Sequence, residues 1–231
     1  MPSDGAGTNR GAGQYGFVRE RVEEVRSRIE GAARRSGRRP GDISILGVTK
    51  FHPLEAVQAG YDAGIRVFGE NRVQEALEKY PVFLARNPDA RVHMIGHLQS
   101  NKAKKAVDLF HCVESADSLD LLRELDKRAA AGGRRMDILL ELHTGEESKS
   151  GFPDRASLLE AVEALAGLGN LRCRGLMTMA PYTDNEAAIR ASFRSLRSLF
   201  EEIAASKSFP EFDTLSMGMS NDFEIAVEEG A

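Results

Sequence analysis

The chain has 231 residues, 42% of them hydrophobic and 29% charged, with a formal net charge of −4. This length and apolar content suit one or two domains with a sizeable core, and α/β barrels often use such a length for one domain. The acidic balance argues against a general nucleic-acid surface, which needs a basic excess, and no apolar run approaches the roughly 20 residues that span a bilayer.

Residues 1–13 are rich in Gly, Ser, Asn and Ala and lack the apolar core of a signal peptide. They read as a disordered lead-in, with residues 14–231 as a single domain. From Tyr15 through Val18, Val22, Val25 and Ile29 the apolar residues recur at helical spacing, and Gly37 and Pro40 end that element. A rhythm of strands and helices follows. Strands are expected over 43–49, 66–69, 91–96, 109–113, 136–142, 172–179 and 213–217. Helices are expected over 53–63, 71–80, 100–107, 118–131, from 153, over 185–206 and over 221–229. Strands alternating with helices imply a parallel sheet, and near-continuous apolar runs such as Ile138-Leu139-Leu140 suit a sheet covered on both faces. The expected fold is an α/β (β/α)8 barrel of the TIM type with an extra N-terminal helix. The chain stops at Ala231, where the eighth strand is expected to begin. Cys112 and Cys173 sit in apolar patterns and read as buried free thiols, consistent with a cytoplasmic protein.

In such a barrel the loops after the strands converge on one mouth, where active sites are built. The residues that collect there are Lys50, Glu70, Asn71, His97, Gln99, Glu114, Ser115, His143 and Thr144, then Met217-Gly218-Met219-Ser220-Asn221. Lys50 ends an apolar run, Leu46-Gly47-Val48-Thr49, and is the candidate for imine formation with a carbonyl group. Such a lysine must lose its proton, and Val48 with the barrel wall is expected to supply the desolvation. The Met217–Ser220 turn offers free N–H groups for an anion, with Ser220 placed to cap the following helix and Asp222 expected to face solvent. Three ordinary readings stand beside these: Lys50 as a solvated loop residue, the turn as a plain helix cap, and His97 as a residue that only positions its loop.

Five ordered stretches carry a resemblance. Gly47-Val48-Thr49-Lys50, Phe68-Gly69-Glu70-Asn71-Arg72-Val73-Gln74-Glu75, His93-Met94-Ile95-Gly96-His97-Leu98-Gln99-Ser100-Asn101-Lys102, Gly175-Leu176-Met177-Thr178-Met179 and Leu215-Ser216-Met217-Gly218-Met219-Ser220 resemble the pyridoxal-phosphate homeostasis protein family, also called YggS-like or proline synthetase co-transcribed proteins. The likeness runs from about Tyr15 to Ala231. It implies a barrel of the alanine-racemase N-terminal type (fold type III), with pyridoxal 5′-phosphate (PLP) held by Lys50 as an internal aldimine. By the same resemblance Ser220 and the backbone of Met217, Gly218, Met219 and Ser220 hold the phosphate, Asn71 lies near the ring, and His97 belongs to the mouth. Lys149 matches a family lysine linked to cofactor handling. His52 stands where many members carry a second lysine, and the family continues into an eighth strand with an Arg-Ile-Gly motif.

The function implied is a carrier that buffers PLP and delivers it to PLP-dependent apo-enzymes, as a monomer, without membrane or nucleic-acid partners. A PLP-dependent racemase of the alanine-racemase type is the alternative. A cofactor-free Schiff-base aldolase and a plain interaction protein complete the set.

Overall fold

The computed structural model describes residues 14–145 and 150–231. The expected lead-in over residues 1–13 and the expected cofactor-linked Lys149 lie outside the described residues. Helix α1 (Phe17–Arg35) precedes the first strand. Then follow β1 (Leu46–Val48), α2 (Leu54–Asp62), β2 (Val67–Glu70), α3 (Val73–Arg86), β3 (Arg91–Met94), α4 (Ala103–Leu109), β4 (Cys112–Ala116), α5 (Leu119–Ala131), β5 (Met136–Glu141), α6 (Arg155–Ala164), β6 (Leu171–Met177), α7 (Glu186–Ala205), β7 (Thr214–Ser216) and α8 (Phe223–Glu229). The seven strands pair in sequence order, all parallel, as strand–helix alternation requires.

The sheet curls into an open half-barrel: Glu114 on β4 reaches Ser216 on β7, three strands away, at 2.5 Å. Its outer face carries Val92, Met94, Val113, Ile138, Leu140 and Leu176, all buried in one core with the surrounding helices. Its inner face holds a smaller apolar cluster of Cys112, Leu139 and Met177. Both cysteines are free and buried, and burial pushes the Cys173 thiol up to about 12.

Eight strands are expected of a closed barrel, but seven occur among the described residues, so β1 and β7 are both edges. Helix α1 lies across the outside of this open side. Ile29, Ala32 and Ala33 pack on Val227 of α8, Arg28 pairs with Glu224 at 2.7 Å and Arg35 with Glu228 at 2.6 Å, and Arg19 donates to the Asp62 carbonyl oxygen at the end of α2.

Three of the departures from the pattern-based boundaries bear on the site. The first strand spans only Leu46–Val48, because it has one strand neighbour to pair with. The fourth begins at Cys112 rather than 109. The apolar run Leu109–Val113 straddles a helix end and a strand start, and periodicity cannot divide so short a run. Glu114 and Ser115 therefore lie within β4 and are buried, not in the loop after it. Helix α3 continues through Pro81 to Arg86. An interior proline costs about 3 kcal/mol, and burial of both Tyr80 and Phe83 on the same helix face offsets it.

Candidate functional site

Lys50 follows β1 in the same alternation as Leu46 and Val48. Val48 stands beside Gly69, whose missing side chain faces Leu46 and Ile95 inside the curl. The lysine thus extends the inward row. Its loop is fastened from α3 and β2. Thr49 Oγ1 donates to Glu70 Oε1 at 2.8 Å and meets the Tyr80 hydroxyl at 2.7 Å. Lys79 Nζ donates to the carbonyl oxygens of Thr49 (2.9 Å) and His52 (3.1 Å) and to Glu70 Oε1 (2.6 Å). Phe51, at φ 64°, is held in a left-handed conformation that a bulky side chain seldom adopts; its amide donates to Glu75 Oε2 at 3.3 Å, and the Arg72 guanidinium lies over its ring. Anchors at residues 72, 75 and 79 form one stripe of a helix.

Among the described residues no desolvating wall stands around Lys50: Lys50 is exposed and Val48 is 47% exposed, and no described strand pairs with the outer edge of β1.

Asn71 follows β2 directly. Its Oδ1 is buried and without a partner. Gly96 makes room for it: a Cβ at residue 96 would fall 2.5 Å from the Asn71 carbonyl oxygen. His97 is 59% exposed and its Nδ1 meets Asp117 Oδ2 at 2.8 Å.

Met217, Gly218, Met219 and Ser220 form the turn between β7 and α8. Gly218, at φ 95°, packs where a Cβ would meet Ala226 at 2.6 Å. Two expectations fail here. Ser220 does not cap α8; Asp222 stands at the cap position, and neither side chain makes a capping bond to the helix. Asp222 does not face solvent but is 6% exposed, with its carboxylate accepting the Met219 N–H. Burial pushes that carboxyl above its ordinary value, and the amide bond opposes the shift. The carboxylate thus occupies one donor of the turn, while no hydrogen bond among the described residues uses the amides of Ser220 or Asn221.

Below the mouth, Glu114 joins three strands. It meets His93 Nδ1 at 2.6 Å and accepts from Ser216 Oγ at 2.5 Å, tying β7 to β3 and β4. At the rim, Glu141 ends β5 with 2% exposure. Ser150 Oγ donates to its Oε1 at 2.8 Å, and Oε2 is buried without a partner. Burial raises its carboxyl to about 7, with Asp117 raising it further while the Ser150 hydroxyl and His97 pull it down. Sequence reasoning missed Glu141 and Asp117. The one visible signal of Glu141 is an acid at the end of an apolar strand, Met136-Asp137-Ile138-Leu139-Leu140-Glu141, which looks like a surface residue when the strand's inner face is unknown.

Four buried polar atoms without partners among the described residues are Glu70 Oε2, Asn71 Oδ1, Glu141 Oε2 and His143 Nδ1. All lie at the carboxyl ends of β2 and β5 or just beyond. Glu70 belongs to the clamp on Thr49 and Lys79; the other three, together with an inward-row amine after β1 and spare amides after β7, suit a polar ligand bearing a carbonyl group and an anion.

The alanine racemase N-terminal domain family matches residues 21–229. A pyridoxal phosphate homeostasis protein of Aquifex aeolicus is 39% identical over 212 residues, covering 92% of each chain. The structure of PipY from Synechococcus elongatus with PLP bound is similar, with TM-score 0.80 and 36% identity, over 93% of this chain and 94% of that one. Alanine racemase from Streptomyces coelicolor, at 19% identity and TM-score 0.62, shares the fold over 89% of this chain and 58% of its own.

Proposed function

Because this chain belongs to the pyridoxal phosphate homeostasis protein family, on the alanine racemase N-terminal fold, we propose that it binds PLP covalently through Lys50, buffers it, and hands it to PLP-dependent apo-enzymes. The observation that carries this reading is the anchored Lys50 loop. Five side chains from β2, α3 and the residue that caps α3 (Glu70, Arg72, Glu75, Lys79 and Tyr80) engage residues 49–52 while leaving the Lys50 side chain exposed. A lysine that served only solubility would need no such fastening.

In the same reading Asn71 and His97 line the ring, and the turn Met217, Gly218, Met219 and Ser220 takes the phosphate through the amides that Asp222 leaves free. PLP supplies an aldehyde that condenses with a primary amine. The protein's part is to aim that amine, neutralise the phosphate and keep the aldehyde from other nucleophiles. The reading takes residues 14–231 as one domain, acting as a monomer in the cytoplasm, with closure of the side between β7 and β1 by an eighth strand.

The test is an absorbance titration with PLP, followed by borohydride reduction and peptide mapping. The expected result is a visible band fixed on Lys50 and lost in Lys50→Ala. A reduced adduct on another lysine overturns the assignment. Sustained racemisation of an amino acid by the loaded protein overturns the carrier reading.

A further inference from the structure

Resting on that reading of Lys50, we propose that Asp117, His97 and Glu141 form a docking site for the primary ammonium group of the incoming amine that takes the cofactor away, with Glu141 receiving its proton. The site lies at the ends of β3, β4 and β5, across the mouth from Lys50 on β1 and the anion turn after β7.

Geometry brings the three groups together and turns Glu141 inward. Glu141 is in register with Met177, which belongs to the apolar cluster inside the curl. Asp117 follows the last residue of β4 and holds His97 at 2.8 Å, and Ser115 Oγ ties β4 to the Gly96 carbonyl oxygen at 2.6 Å. Ala116 and Leu140 are register partners on adjacent strands, so Asp117 and Glu141, each the next residue, follow side by side, and Asp117 and His97 both act electrostatically on Glu141.

The chemistry asks for a cation with several donors. Glu141 Oε2 is buried and unpartnered, and an unmatched buried acceptor is costly. Ser150 supplies one donor to the other oxygen. An ammonium group carries three donors and no acceptor, which matches Glu141 Oε2 and the Asp117 carboxylate.

The ammonium must lose one proton before its nitrogen can attack. Glu141 takes that proton. The nitrogen attacks the cofactor's carbon, its two remaining protons pass to the Lys50 nitrogen as the carbon–nitrogen bond to Lys50 breaks, and the freed Lys50 amine recovers the third proton from Glu141. Charge balances and no oxidant or reductant is required. A carboxyl that titrates near neutrality can both accept and return the proton at working pH.

The experiment compares wild type and Glu141→Gln, each loaded with PLP at pH 7. Release is driven either by L-lysine, which arrives as a cation, or by hydroxylamine, which is uncharged. The expected result is release by lysine slowed about a hundredfold or more, with hydroxylamine release unchanged. Equal slowing with both nucleophiles, or none with lysine, overturns the proposal. A second readout uses cofactor-free protein. Methylammonium chloride should ionise Glu141 and diminish a protonated-carboxyl infrared band that Glu141→Gln lacks, and an unaltered band overturns the ammonium site. If wild type gives no reduced adduct on Lys50, the reading of Lys50 fails instead, and the infrared arm still decides whether the ammonium site exists.

Discussion

The two sides of the half-barrel are built from the same strand–helix unit but held by different forces. On the closed side, β4 is buried throughout and β5 nearly so, with a neighbour on each edge and helices behind. On the open side, β1 and β7 have three residues each, none of them buried. Here polar ties replace burial: the clamp from β2 and α3 on residues 49–52, the Glu114–Ser216 link across the interior, and the ion pairs of α1 with α8. The closed side is a core, and the open side is a set of fastened edges where an amine and free amides stay within reach of a ligand.

Substitutions should separate these two regimes. Leu140 is fully buried, and Leu140→Ala should destabilise the protein by about 3 kcal/mol in urea unfolding, whereas Val48→Ala on the open edge should cost under about 1 kcal/mol. Equal losses would erase the distinction.

Glu141 sharpens the contrast from the other direction, because the closed side holds a charge it solvates poorly. Its folded carboxyl titrates near 7, above the ordinary 4.5. The native state therefore binds more protons than the unfolded state between those values, and stability falls as pH rises through that window. Glu141→Gln should be more stable than wild type by up to about 3 kcal/mol above pH 7, since each pH interval of one across that window contributes about 1.4 kcal/mol. The gain should vanish below about pH 4.5. Thermal unfolding across pH reads this directly, and a gain independent of pH would mean that desolvation of the charge is not its source.

On the open side, Glu114→Ala should cost about 1–2 kcal/mol by leaving Ser216 and His93 without their shared acceptor. It should also speed amide exchange in β7 more than in β5, as hydrogen exchange would show. The smallest effect is expected at the outer seam. The Arg28–Glu224 pair is substantially exposed, so Arg28→Ala should cost about 0.5 kcal/mol or less and lose even that in high salt. A larger loss would make the seam helix a stronger closure of the barrel than its exposure implies.

The seven strand–helix units were legible in the sequence because their signals are local. Apolar runs, helical spacing and the glycine and proline that end the first helix depend on neighbours a few residues away. The motifs around Lys50, Asn71, His97 and Met217–Ser220 were legible for the same reason: each is contiguous, and each ends or follows a strand. What the sequence could not determine is which side of each polar residue faces what. Asp222 reads as a solvent-facing acid but is buried on the Met219 amide. Glu114 lies in a strand rather than after one, and its partner Ser216 is 102 residues away. Glu141 looks like a strand-end surface charge and is buried. Their environments come from the curl of the sheet, which brings distant residues to one face, and the exposure of Lys50 comes from β1 being an edge. Burial of a polar group is decided by everything that surrounds it in space, and only the tertiary structure carries that information.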